Sequence, residues 1–456
     1  MEFSLSLEPA RTRGVFISTY GCQMNVNDTE RMYALLEMVD YVPVATPEQA
    51  ELILINSCSV REKPVHKVHS EVGRYRELKA LNPLLRIGVG GCVAQQEKRK
   101  LLATSPLIDF VFGTDAIDEL PDIVTRISAD RSEKVVSARF ESDQPYQIQT
   151  LIRRPGVAAF VNITKGCDNF CTFCVVPFTR GREKSRPLRD LLTDVRSLVD
   201  RGVKEVTLLG QNVNSYGSDC GVGFPGLLEA LAEGTGIERI RYTTSHPKDF
   251  DQDLVDVSRR HRGKIMDYIH LPAQSGNTDV LSRMNRGYSR EQYLDKLAMI
   301  RAGLPGVALS TDLIVGFPGE TDAQFDDTMT LLEAGLFENV YAFKYSPRPF
   351  TKAARFADQV PDVISSARLD RLLRRQRVIA AELAAPYAGR VLDVLVEGVG
   401  SDDGLLRGRS TQNKLSHVPI PTGSVAGDWI GRTVAVQVSR AHASYLAGTI
   451  RSGVAV

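Results

Sequence analysis

Gly166-Cys167-Asp168-Asn169-Phe170-Cys171-Thr172-Phe173-Cys174 follows closely on the apolar, strand-like run Val157–Ile163. Three cysteines in one loop behind a strand point to a metal site, because soft thiolate ligands gathered in one loop suit iron–sulfur chemistry. Cys167, Cys171 and Cys174 can ligate three irons of a 4Fe-4S cluster and leave the fourth iron open. A structural zinc knuckle or three ordinary buried thiols are the plain alternatives, and no histidine lies close enough to complete a short zinc motif. Five further strand signals follow, at Glu205–Leu209, Arg239–Thr243, Met266–Leu271, Ala308–Val315 and Asn339–Tyr345, separated by helical patterns. Six βα units predict an incomplete (β/α)6 TIM-like barrel.

The surrounding chain is long enough for several cores. It has 456 residues, 43% hydrophobic and 24% charged, which predicts two or three domains. Lys plus Arg (56) nearly balances Asp plus Glu (55), so a nucleic-acid or membrane partner has to be met by a local patch. No apolar run approaches the ~20 residues of a membrane span, and Met1-Glu2-Phe3 does not open a signal peptide. No membrane partner and a cytoplasmic location are expected.

Ahead of the barrel, Val15–Tyr20, Leu52–Ile55 and Ile87–Val89 each read as a strand followed by a helix, which predicts an N-terminal parallel α/β domain over 12–128. Each is followed by a cysteine, within Tyr20-Gly21-Cys22-Gln23-Met24-Asn25, Asn56-Ser57-Cys58-Ser59-Val60-Arg61 and Gly90-Gly91-Cys92-Val93-Ala94-Gln95. Parallel strands end along one sheet edge, so Cys22, Cys58 and Cys92 should converge, either as a second metal site or as ordinary buried thiols. The polar stretch 129–152 reads as a linker, 153–387 as the barrel unit, and 388–455 as a small β-barrel with Gly-rich turns.

The loop C-x3-C-x-aromatic-C resembles that of the radical S-adenosylmethionine (SAM) superfamily. With the second cysteine set, the chain is similar to the methylthiotransferase family, which places an auxiliary cluster domain before the barrel and a TRAM domain after it. Thr19-Tyr20-Gly21-Cys22-Gln23-Met24-Asn25, Thr179-Arg180-Gly181-Arg182-Glu183-Lys184-Ser185-Arg186-Pro187 and Gly210-Gln211-Asn212-Val213-Asn214-Ser215-Tyr216 are similar to its tRNA-modifying branch. The resemblance implies two 4Fe-4S clusters and SAM, with Cys167, Cys171 and Cys174 catalytic and Cys22, Cys58 and Cys92 holding the auxiliary cluster. It implies replacement of the C2 hydrogen of an isopentenylated adenosine beside the anticodon by a methylthio group. Cys220 fits none of the motifs.

Further candidates stand where barrel strands end. Gly210, Gln211 and Asn212 occupy the place where relatives meet the SAM amino group, and Ser245 (with His246), Gln274 (with His270) and Asp312 follow or end later strands. Each also has a plain structural reading as a turn or core residue. Arg182, with Arg180, Lys184 and Arg186, suits a SAM carboxylate or an RNA phosphate, or simply forms a solvated loop. Arg368, Arg371, Arg374, Arg375 and Arg377 form a basic helix, and Arg407-Gly408-Arg409 with Asn413-Lys414 is the basic, polar pattern that TRAM modules use on RNA. The expected partners are a tRNA anticodon stem-loop, an electron donor such as flavodoxin or ferredoxin, and a sulfur donor, with the chain a monomer. The competing readings are methylthiolation of a ribosomal-protein side chain, a generic radical SAM enzyme with a fully ligated relay cluster, and a non-catalytic RNA-binding protein with structural metals.

Overall fold

A computed structural model describes residues 12–59, 64–140, 146, 148–219, 221–402 and 404–455. Cys220, Val60-Arg61 and part of the expected linker (141–145 and 147) lie outside the described residues.

The first unit is a parallel sheet of six strands, β1 (Arg13–Thr19), β2 (Tyr41–Pro43), β3 (Leu52–Ser57), β4 (Arg86–Gly91), β5 (Phe110–Phe112) and β6 (Val135–Ser137), in the order β2-β1-β3-β4-β5-β6. Leu52-Ile53-Leu54-Ile55 is fully buried because helices cover both faces of the sheet, which is why β3 reads as a continuous apolar run. One face packs Met32 and Leu36 of the helix Gln23–Glu37 with Leu120 and Ile123, and the other packs Val68, Val72 and Leu101. The stretch 129–152, expected as a linker, contains β6, whose Val135-Val136-Ser137 pairs in parallel with Phe110-Val111-Phe112. Two apolar residues are enough to extend the buried edge, and a run this short carries no visible period in sequence.

The second unit contains β7 (Ala158–Asn162), a short hairpin of β8 (Thr164–Lys165) and β9 (Lys184–Ser185), then β10 (Glu205–Leu209), β11 (Arg239–Tyr242), β12 (Tyr268–His270), β13 (Ala308–Val315) and β14 (Asn339–Lys344). β11-β10-β7 and β12-β13-β14 form two three-stranded parallel sheets, joined beside β11 by the parallel bridge Ile240↔Ile265. This is the six-stranded partial barrel, with β7 and β14 as the two strands at its lateral edges. The amphipathic helix Leu188–Asp200 buries Leu191, Val195 and Leu198 against it.

The third unit is a closed barrel of β15 (Val391–Val399), β16 (Leu405–Ser410), β17 (Leu415–Pro419), β18 (Thr433–Ala441) and β19 (Leu446–Ala455) around Val394, Val396, Leu406, Val418, Val434 and Val436. It docks on the amino-terminal ends of the larger barrel's strands. Arg239, first residue of β11, donates to the Arg409 carbonyl at 3.0 Å, and Arg241 donates to the Ser410 carbonyl at 2.7 Å. Lys414 is buried against Glu338, just ahead of β14. No helix among the described residues is long and apolar enough to cross a membrane.

Local geometry sets the first sheet's edge. Gly21 has φ +145°, and a Cβ there would lie 2.3 Å from Asn25 Oδ1 and 2.7 Å from Cys58 Cβ. Gly21→Ala is expected to destabilise the fold by about 1–3 kcal/mol through overpacking and backbone strain. Gly73→Ala, in the helix Pro64–Arg74 with nothing within 4 Å of the new methyl, should leave the melting temperature unchanged or raise it. Thermal denaturation of the two variants beside the parent checks both signs.

Candidate active site

Both cysteine sets stand where parallel strands end. Cys22 is the N-cap of the helix Gln23–Glu37, Cys58 directly follows β3, and Cys92 opens the helix Cys92–Glu97 directly after β4. β1, β3 and β4 are neighbours in register, with Thr19 opposite Asn56 and Asn56 opposite Gly90, so three residues far apart in sequence meet at one edge. Asn25 and Asn56 lock that edge. Asn25 donates to Asn56 Oδ1 at 3.1 Å, Asn56 returns a bond to the Asn25 carbonyl at 2.8 Å, and Ser57 Oγ donates to the Gly90 carbonyl at 2.7 Å. The Cys22 thiol is pulled down to about 6 by its hydrogen bond with Cys58, with the Arg180 charge adding to it against the opposing effect of burial.

The second set hangs on the loop after β8. Asn169 Nδ2 donates to Cys167 Sγ at 3.3 Å and Arg286 Nη1 donates to Cys171 Sγ, also at 3.3 Å. The segment Arg283–Arg286 braces the loop from the far side, since Thr172 N–H donates to the Met284 carbonyl at 3.0 Å and Asn285 Nδ2 donates to the carbonyls of Asn169 and Phe170 at 3.1 Å. Burial pushes the Cys167 thiol up to about 11 and the Cys174 thiol up to about 12. Arg286 is buried, and its Nη2 and Nε donate to the Pro272 carbonyl and the Tyr288 hydroxyl. Nothing in its sequence surroundings marks Arg286 as buried, so the sequence reading missed it.

The strand-end candidates divide into two kinds. Gln211 Oε1 and Ser245 Oγ are buried without a hydrogen-bond partner among the described residues, as are Asn162 Oδ1, Thr164 Oγ1 and His246 Nε2. Unsatisfied buried polar atoms are costly, at roughly 1–3 kcal/mol each, and this group at the carboxyl ends of β7, β10 and β11 fits a polar ligand such as SAM. Gly210 belongs with them, because a Cβ there would sit 2.1 Å from Thr164 Oγ1. Asn212 is of the other kind. It donates to Asp249 at 2.7 Å and accepts from the His246 N–H at 3.2 Å, so its side chain is occupied in holding neighbouring loops.

His246 Nδ1 accepts from the Lys248 N–H, and burial, with Arg286 and Lys248 nearby, pushes its pKa down to about 2, so the ring stays neutral. Gln274 adopts φ +73°, and its backbone bridges β13 through Asp312 O and Ile314 N, both at 2.8 Å. Asp312 Oδ1 lies 3.3 Å from His270 Nε2, and the His270 ring meets Tyr341 edge-on.

The basic candidates are mostly engaged. Arg182 forks onto Asp168 at 2.6 and 3.1 Å and lies over the Phe170 ring at 5.2 Å, with its side chain still 70% exposed. Arg186 is fully buried on Asp194, and Arg180 is buried on Asp28. In the basic helix, Arg368, Arg371 and Arg375 pair with Glu320, Asp326 and Glu333, and Arg374 pairs with Asp370. Lys414, read as an RNA-facing residue, lies instead in the docking interface, whereas Arg407, Arg432 and Arg440 are exposed.

Family models match three segments: the Uncharacterized protein family UPF0004 at residues 14–113, the Radical SAM superfamily at 161–332 and the TRAM domain at 386–450. A tRNA-2-methylthio-N(6)-dimethylallyladenosine synthase of Bdellovibrio bacteriovorus is 61% identical over 436 residues, covering 96% of this chain and 95% of that protein. The chain belongs to this synthase family. A family member of the same name from Myxococcus xanthus is 47% identical over 95% of this chain and 93% of its own length. The radical SAM methyltransferase TsrM of Kitasatospora setae, with cobalamin and a [4Fe-4S] cluster bound, has a TM-score of 0.54 at 14% identity over 87% of this chain and 81% of its own, a likeness of fold. The synthase family thus spans all three units described above.

The two thiol environments predict opposite alkylation behaviour in the metal-free chain. A thiolate is present above its pKa, so Cys22 should react with iodoacetamide from about neutral pH upward, whereas Cys167 and Cys174 should react appreciably only on the alkaline side of pH 10. Peptide mass spectrometry across a pH series reads the order. Equal labelling of the three at neutral pH would contradict it.

Proposed function

We propose that this chain, a radical SAM tRNA methylthiotransferase, converts N6-dimethylallyladenosine next to the anticodon into its 2-methylthio derivative. The observation that carries the reading is the pair of cysteine trios at strand ends in two adjoining units, within a chain matched along its length by synthases of that name. Cys167, Cys171 and Cys174 hold one 4Fe-4S cluster, and Cys22, Cys58 and Cys92 hold the other. The donor set fits, since each trio offers three soft sulfur ligands and leaves one iron open. When bound, the first cluster with SAM supplies a hydrogen-abstracting radical, and the second presents sulfur to be methylated by another SAM and transferred.

The chain's own residues orient these groups. Asn169 and Arg286 donate to cysteine sulfurs and fix the loop. Gln211 and Ser245 present buried polar atoms to SAM beside the close-packed turn at Gly210, while Asn212 and the Gln274 backbone hold the strand ends in place. Asp312, side by side with His270, supplies a polar wall, and Arg182 remains at the mouth for phosphate. The reading further calls for a one-electron donor such as flavodoxin or ferredoxin, a sulfur donor, a cytoplasmic setting and a monomeric chain.

Exposed aromatics beside the cysteine loop support an unstacked RNA substrate. Phe178 and Phe350 have ring centroids 5.8 Å apart and are each about half exposed, and Phe170 is exposed within the loop itself. The segment bearing Phe350 is tied to the loop by the Ala353 N–H donating to the Thr172 carbonyl at 2.9 Å. Anticodon-loop bases can be splayed out and stacked on such rings.

After anaerobic reconstitution with iron and sulfide, incubation with SAM, dithionite and isopentenylated tRNA should yield the 2-methylthio nucleoside by mass analysis. Formation of 5′-deoxyadenosine with the tRNA unmodified would overturn the substrate assignment. In the same assay Cys171→Ala should abolish SAM cleavage, whereas Cys92→Ala should retain cleavage and lose the methylthio product. Equal loss of cleavage in both variants would remove the division of labour between the trios. Replacing Phe178 and Phe350 together by Ala should weaken tRNA affinity by roughly ten-fold or more, since each stacked base is worth about 1–3 kcal/mol; unchanged affinity in a fluorescence titration argues against the stacking surface.

A further inference from the structure

Arg180 belongs by sequence to the barrel unit, yet its guanidinium lies in the first one. It directly follows the short helix Val176–Thr179, which packs against the helix opened by Cys92. Arg180 Nη2 pairs with Asp28 Oδ2 at 2.7 Å, and both residues are buried. Asp28 stands on the helix capped by Cys22, so the guanidinium sits between the two helices whose amino ends carry Cys22 and Cys92. The joint is pinned on several sides. Thr114 Oγ1 donates to the Thr179 carbonyl at 2.8 Å, Lys165 pairs with Asp115 at 2.9 Å, and Asn27 Nδ2 donates to the Phe160 carbonyl at 3.0 Å.

The electrostatics of this edge are unusual. Cys22, Cys58, Cys92 and the Asp28 carboxylate gather at this edge, Cys22 exposed and the other three buried, and Arg180 is the buried cation paired with Asp28. Buried charges without compensation are strongly unfavourable. Against the cost of burial, Asp28 first and then Cys92 and Cys22 favour the charged form of the Arg180 guanidinium. The arginine is therefore the positive member of a group whose other members all come from another unit.

Building on the cluster assignment proposed above, we propose that Arg180 is a positioning residue for the auxiliary cluster: reaching across from the barrel unit and held by Asp28, it completes the charge of the Cys22-Cys58-Cys92 site and sets that cluster's reduction potential. Reduction adds an electron, so a neighbouring cation favours the reduced cluster and a neighbouring anion disfavours it. Arg180 and Asp28 should consequently act with opposite signs. A role in packing alone has no such sign.

The test uses the full chain with Cys167, Cys171 and Cys174 replaced by Ala, reconstituted with iron and sulfide and titrated electrochemically with electron paramagnetic resonance as readout. Arg180→Met should move the auxiliary midpoint to a more negative potential, Asp28→Asn should move it to a more positive one, and the double variant should return towards the parent. Arg180→Lys, which keeps the charge, should stay close to the parent. Shifts of the same sign in the two single variants, or none in either, overturn the proposal. If Arg180→Met does not retain iron, Asp28→Asn and the double variant decide: a positive shift that the double variant reverses supports the proposal, and one that it leaves in place overturns it. Failure of the parent with its three alanines to bind a cluster is a different result, because it removes the auxiliary-site assignment itself.

Discussion

A parallel strand delivers whatever follows it to the same edge as its neighbours, and this chain uses that constraint twice. In the first sheet it brings together Cys22, Cys58 and Cys92 from three separate βα units. In the barrel it gathers Gln211, Ser245 and His246 at the end that also carries the loop of Cys167, Cys171 and Cys174. The helix Val176–Thr179 then joins the two edges, because it follows one cysteine set and packs beside the helix that opens with a cysteine of the other. The chemistry therefore depends on strand direction and strand order more than on any single contact.

Much of this was legible in sequence for a physical reason. Glu205–Leu209 and Ala308–Val315 are strands with the bounds read from sequence, because Val206, Leu208 and Leu209 in the first, and Leu309 with Leu313-Ile314-Val315 in the second, carry the apolar signal even around the buried polar Ser310 and Thr311. The cysteines were legible because their spacing has few structural explanations. β6 was not, because three residues carry no period, and its partner β5 is known only from the fold. Arg286 was equally hidden. A buried arginine looks like a surface arginine until the carbonyls and the sulfur that receive its hydrogen bonds are known.

The arginines carry the main lesson about charge. Arg180, Arg186, Arg241, Arg286 and Arg368 are all buried, and each is held by a carboxylate, a carbonyl or a cysteine sulfur. Two of them join units, Arg180 the barrel to the first sheet and Arg241 the barrel to the small barrel, and the buried Arg239 makes the same connection as Arg241. Guanidinium groups suit such joints because their planar fork satisfies several acceptors at once. A count of basic residues near a motif thus overstates the surface left for RNA, and the exposed share falls to residues such as Arg182, Arg407 and Arg432.

The edge of β14, which pairs with no further strand, has a topological consequence. A small metabolite can drop into a closed ring of strands from above, but a nucleotide inside a polymer has chain continuing from both of its ends. It can reach a deep centre by being flipped out of its stack into the mouth, or by being laid in from the side, as a thread is laid into an open hook rather than passed through the eye of a needle. With the small barrel seated across the amino-terminal ends of the strands and the first unit lying against β7 through Asn27 and Phe160, the mouth and the β14 side, where Tyr341 and Phe343 are exposed, remain as the approaches. An incomplete barrel can therefore act on a residue that never leaves its strand.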